Sequence, residues 1–196
     1  MLELRETVAT ALSRLGELEA SAARWSAHDA SVTQVLLNIN EEDAREEFWK
    51  SGMGQMAEQQ EMFEVLEAFL AAWARVSLLL FPTGGNKTRG KALVQAFQLD
   101  GNSTLANRDL RDAWMHFDER LDAAVRTGGW GDRHRWVSSS MLAERCPKAL
   151  RLFEVDALII HFRDRSNQPC TAKLRDCRDA LEGIQSGWHD AWHRLT

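Results

Sequence analysis

The stretch LEAFLAAWARVSLLLF, residues 66–81, decides the fold class. Leu66, Phe69, Trp73, Val76 and Leu80 recur at three- and four-residue steps, and Met62 and Val65 extend the series backwards. That period puts them on one stripe of an amphipathic helix; a half-buried strand would alternate instead. The spacing predicts a helix over 55–81, ended by Pro82 and the turn residues that follow it. Arg75 interrupts the run, and the run is shorter than the ~20 apolar residues of a bilayer span. The stripe therefore belongs to a protein core.

On both sides of this helix the chain stays helical in pattern. Residues 2–25 read as an amphipathic helix, with Leu2, Val8, Leu12, Leu15 and Leu18 near one face. Residues 29–50 form a second helix, with a break near NINEED and punctuation at Ser51, Gly52 and Gly54. A short helix is expected over 89–98. After DGNST, which offers Ser103 or Thr104 as a cap, a longer helix is expected over about 105–126. The segment ALRLFEVDALIIHFRD is rich in apolar, β-branched and aromatic residues and predicts a β-hairpin, about 149–154 and 157–162. The segment KLRDCRDALEGIQSGWHDAWHRL closes the chain as one helix. The expectation is a mainly α protein: a single helical-bundle domain over 1–196, with the hairpin at about 149–162 as an appendage.

Composition bounds the function classes. The 196 residues are 44% hydrophobic, enough for a core that needs no disulfide support. The three cysteines, Cys146, Cys170 and Cys177, have no paired spacing, which points to structural thiols in a reducing, cytoplasmic setting. The first residues carry acids and no long apolar core, unlike a signal peptide. A formal net charge of −5 is unlike that of a generic nucleic-acid binder, so RNA contact would need a local basic patch.

The segment NRDLRDAWMHFDERLD, residues 107–122, carries the most chemistry. At roughly 100° per residue, Leu110, Ala113, Trp114, Phe117, Leu121 and Ala124 fall in one sector, the expected core face. Asp112, His116 and Glu119 fall in the opposite half. Asp112 and His116 are four apart, so the acid can orient the imidazole. Arg108 lies one turn before Asp112. Arg111 sits roughly 140° around the axis from His116, so one helix does not easily aim both at one atom. A second copy of the helix across a dimer axis would close that gap. The same residues also suit a solvated salt-bridge ladder with no chemistry.

Arg111, the four residues DAWM, and His116 resemble the Arg-x4–6-His signature of the HEPN superfamily, in which Asn, Asp or His usually follows the Arg; here it is Asp112. The flanking LFPTGGNKTRGKALVQAF, RDLR and HFDERLD are similar to an uncharacterised bacterial branch of HEPN-like proteins, with the likeness best over 78–122. The resemblance implies a helical bundle that dimerises so that two Arg/His motifs face one cleft. It implies a metal-independent RNA endonuclease of toxin or phage-defence type, without cofactor, partnered by RNA and by an antitoxin or operon protein. His116 would be the general acid or base, Arg111 would stabilise the charged transition state, and Asp112 would orient the pair. Arg108, Glu119, Arg120, Lys87 and Arg89 are the candidate substrate contacts. The sequence departs from the family where some toxins carry a Tyr two residues after the His: that position is Asp118, and the chain has no Tyr. Many HEPN-like proteins are non-catalytic, so an interaction or scaffold module is the alternative.

Other motifs carry less. GGNKT, residues 84–88, lacks the full phosphate-loop pattern and reads as a helix connector. His189 and His193 have a helical metal-ligand spacing without an evident third ligand, and Trp188 and Trp192 share that spacing as packing residues. Trp130, His134 and Trp136 sit in a predicted loop that could stack on a base or ring as a small-molecule or nucleotide module, or plug the end of the bundle.

Overall fold

The computed structural model describes residues 1–38, 41–84, 87–101, 103–116, 126, 136–138, 151–164, 166 and 168–195. It is mainly helical with a small sheet near the C-terminus, as the periodicities predict. Two long helices, α1 (Leu2–Asn38) and α2 (Glu41–Leu80), form the frame. They run antiparallel, because early residues of one meet late residues of the other. Arg75 reaches Glu3 at 3.0 Å, Arg24 reaches Glu61 at 3.5 Å, and His28 reaches Glu58 at 3.5 Å. The boundary expected between residues 25 and 29 does not occur, since both lie inside α1, and the break expected near NINEED falls at residues 39–40, outside the described residues. The expected stop at Ser51, Gly52 and Gly54 does not occur; these residues lie inside α2. A glycine costs a helix only about 1 kcal/mol, less than the burial of the stripe from Met62 to Leu80 further along α2 returns.

The predicted stripe is the centre of the core. Leu66, Phe69, Trp73, Val76 and Leu80 of α2 are buried against Leu4, Val8, Leu15 and Leu18 of α1. Helix α3 (Lys87–Ala96) folds back on the end of α2. A 3₁₀ turn (Thr104–Ala106) follows, held by Ser77, whose hydroxyl donates to the Leu105 carbonyl at 2.7 Å in the interior. Where one helix was expected over about 105–126, this 3₁₀ turn comes first and helix α4 spans Arg108–Met115 with His116 as its C-cap, while residues 117–125 lie outside the described residues.

Four strands follow: β1 (Trp136–Ser138), β2 (Arg151–Glu154), β3 (Ile159–Arg163) and β4 (Pro169–Lys173), in that spatial order. The predicted hairpin is β2–β3, with Phe153 opposite Ile160. Sequence reading missed β1 and β4. Trp136, expected in a loop, opens β1, which pairs parallel with β2. β4 pairs antiparallel with β3 and adds Cys170 and Ala172 opposite Phe162 and Ile160. Its sequence PCTAK carries too little β-branched or aromatic character to signal a strand. The sheet shares the helical core through Phe153, Ile160, Phe162 and Ala172.

The C-terminal helix is two helices, α5 (Leu174–Ser186) and α6 (Trp188–Leu195), where one was expected. They meet at Gly187, whose N–H bonds the Gly183 carbonyl at 3.0 Å before the chain turns. Arg178 of α5 grips Glu19 of α1 at 2.5 Å. Among the described residues no helix is long and apolar enough to cross a membrane.

Candidate functional site

Helix α4 is set at both ends by polar groups. At its start the Asn107 side chain accepts from the Asp109 N–H at 2.8 Å, satisfying one of the amides that a helix leaves unbonded. At its end Arg151 of β2 donates through Nη2 to the Trp114 carbonyl at 3.1 Å. That carbonyl is one of the unpaired acceptors of the last turn, and a buried cation there also complements the negative end of the helix. The Arg151 guanidinium carbon lies 4.4 Å from the centre of the Trp114 ring, a cation–π stack. Its Nη1 faces Glu67 of α2 at 3.4 Å. One arginine thus joins α2, α4 and the sheet.

Within that junction lie Arg111 and Asp112. Their side chains are 4% and 7% exposed, and Arg111 Nε donates to Asp112 Oδ1 at 3.1 Å. Arg111 Nη1 is buried with no hydrogen-bond partner among the described residues. Asp112 therefore does not occupy the outer half of the helix that the helical wheel assigns it. Leu110, Arg111, Asp112 and Ala113 are all buried in succession, because α4 packs on both α2 and β3 and is covered nearly all round in this turn. His116 follows one turn after Asp112, bonding the Asp112 carbonyl through its backbone N–H at 3.1 Å, and it is exposed.

The structure thus brings Arg111 and Asp112 together in the interior and sets His116 at the solvent edge of the same helix. Arg108 is the first residue of α4. Lys87 and Arg89 are exposed on α3, which packs on α2 and α6, apart from the α4 junction. Glu119 and Arg120, like Phe117, Asp118, Leu121 and Ala124, lie outside the described residues, as do Trp130, His134 and Cys146.

Sequence reasoning missed Arg151 and Glu67. A partial signal was present: Arg151 has the same two-residue parity as Phe153, so the two side chains share one face of β2. A second acid–base pair, also missed, lies on the other face of the hairpin, where His161 Nε2 and Glu154 Oε2 are 2.7 Å apart. His189 and His193 stand edge-on on α6 with ring centres 4.5 Å apart, and no group of three or more metal-ligating side chains occurs among the described residues. Trp188 packs on Phe97 with ring centres 5.6 Å apart, while Trp192 is 48% exposed. Cys177 is fully buried on α5, and burial, with Asp176 adding to it, pushes its thiol up to about 12. No family model matches the chain, and no curated protein or solved structure shows significant similarity to it.

Proposed function

We propose that this chain is a HEPN-like, metal-independent RNA endonuclease of toxin or phage-defence type, acting as a homodimer with a composite site. The end of α4 carries the reading. Arg111 and Asp112 are locked together at 3.1 Å, and His116, in the Arg-x4-His register, stands exposed one turn on. An imidazole fixed at a helix end can take the proton of a ribose 2′-hydroxyl or return one to the leaving oxygen. The 2′-oxygen then attacks the adjacent phosphorus and the bond to the 5′-oxygen breaks. The products are a 2′,3′-cyclic phosphate and a 5′-hydroxyl. Arg111 Nη1, which has no hydrogen-bond partner among the described residues, would give its N–H donors to a charged phosphoryl oxygen, with Asp112 setting the angle of the guanidinium. A second copy supplies the second His116. Arg108, Arg120, Lys87 and Arg89 are the cations available to hold an RNA backbone against the net charge of −5, with Glu119 beside them in the sequence. A partner protein that covers the His116 edge would act as the antitoxin.

The burial of Arg111 favours a second reading. A guanidinium 4% exposed and already bonded to a carboxylate is not offered to a phosphate in a single copy. The pair would then be structural and the chain a non-catalytic HEPN-like interaction or scaffold module.

The deciding experiment is cleavage of total and transfer RNA by the wild type and by His116→Ala, in EDTA. Cutting by the wild type that leaves cyclic phosphate ends, and a fall of about 10²-fold or more in the variant, is the expected result. No cutting by a folded, dimeric wild type would move the conclusion to the scaffold reading. Equal cutting by both would remove His116 from the site.

A further inference from the structure

Between the end of α2 and α3 lies a cavity of about 360 Å³, within the roughly 300–1,000 Å³ range of small-molecule sites. Leu80, Phe81, Pro82 and Val94 give it an apolar floor, and Lys87, Lys91 and Gln95 of α3 also line it. The local fold creates it. Pro82 stops α2, and Gly90 lets α3 press onto that end, since a Cβ at Gly90 would lie 2.7 Å from the Leu80 carbonyl oxygen. The face of α3 that carries Gly90, Leu93 and Ala96 is buried, and the adjoining stripe of Lys87, Lys91 and Val94 borders the cavity.

The charge of this surface is opposite to that of the molecule. The α3 sequence KTRGKALVQA holds Lys87, Arg89 and Lys91 and no acid, in a chain of net charge −5. All three cations are exposed, and none makes an ion pair among the described residues. Lys87 and Lys91 are four apart, so their stems leave the helix about 6 Å from each other on one face. Two ammonium groups on stems that leave the helix so close together can meet on one carboxylate, and the apolar floor beside them suits a hydrocarbon tail.

We propose that this cavity binds a small amphiphilic carboxylate, a medium-chain fatty acid in its chemistry. Its chain lies on Leu80, Phe81, Pro82 and Val94, and its head sits between Lys87 and Lys91. Octanoate titrated into the full chain and followed by calorimetry tests this, with octylammonium as the cation of equal length. Octanoate is expected to bind at a single site and octylammonium not at all. Lys87→Glu with Lys91→Glu should weaken octanoate by about tenfold or more. Val94→Trp, which fills the floor, should remove binding. Failure of octanoate to bind below its micelle concentration overturns the proposal, as does equal binding of the two amphiphiles. Wild-type affinity in the lysine variant overturns it too. Both lysines are exposed, so that variant keeps the fold and decides the matter even where Val94→Trp unfolds.

Discussion

Arg111 and Asp112 are neighbours in the chain and partners in space, although adjacent helical side chains diverge by roughly 100°. Only a long side chain curling back through Nε closes that angle. Removing one member leaves the other charge buried, so Arg111→Ala is expected to cost about 3 kcal/mol in urea unfolding. The double change Arg111→Met with Asp112→Leu should cost far less, because it buries no unpaired charge. His116→Ala, at an exposed position, should stay within about 0.5 kcal/mol of the wild type. Loss of activity therefore reads as chemistry at His116, whereas at Arg111 it must be separated from unfolding. Cys177 gives a pH prediction with a fixed sign. Its folded thiol is pushed up to about 12 from an ordinary 9.0, so the neutral form is the one the fold favours. The stability this provides is complete below pH 9 and is lost as pH rises from there towards 12, by at most about 1.4 kcal/mol per pH unit. Cys177→Ala should remove that slope from unfolding curves taken above pH 9. The helical wheel located Leu110 and Ala113 correctly but put Asp112 outside. A wheel gives directions around one axis and not which neighbours lie there.

Helix α3 shows what periodicity can and cannot deliver for an element. The expected span of 89–98 runs past its end, because the last turn is closed by a device no stripe reveals. Gln98 adopts a left-handed φ of 53°, its N–H bonds the Gln95 carbonyl at 3.1 Å, and the Leu99 N–H bonds the Val94 carbonyl at 3.0 Å. This is a Schellman closure with glutamine where glycine is usual, and Arg194 of α6 holds the Ala96 carbonyl besides. Gln98→Gly removes the side-chain strain at an exposed position and should raise stability by about 1 kcal/mol. Gly90→Ala should do the reverse of what helix propensity suggests. The propensity gain is about 1 kcal/mol, but the new Cβ would sit 2.7 Å from the Leu80 carbonyl oxygen, and overpacking of this kind costs about 1–3 kcal/mol. A thermal midpoint lower than wild type for Gly90→Ala and higher for Gln98→Gly checks both. The long helices were legible because their stripes repeat over many turns. Strands β1 and β4 were not, because three to five residues of mixed character hold no period; β1 in addition pairs in parallel with a strand more than ten residues further along the chain.

At the scale of the molecule, one core runs from the α1–α2 frame through α5 into the sheet, so the strands predicted as an appendage are part of its wall. Nothing in a single sequence marks which outer face meets a second copy, since a self-complementary surface has no period of its own. The endonuclease reading nevertheless commits to that contact: Arg111 and His116 diverge in the helical wheel, and in the fold one is interior and the other exposed. If two copies complete the site, activity must follow the dimer population. Below the dissociation constant that population grows with the square of total protein, so cleavage per unit of protein should rise in proportion to concentration and flatten once the dimer saturates. The rise should track sedimentation measured over the same range. Because only Arg108, Arg120, Lys87 and Arg89 are proposed to meet the RNA backbone, in a chain of net charge −5, salt should weaken RNA binding less steeply than it does for a basic nuclease. Specific activity that stays constant through the dissociation of the dimer would place the whole of catalysis in one copy. Arg111, shut in with Asp112, would then have no part in touching the phosphate.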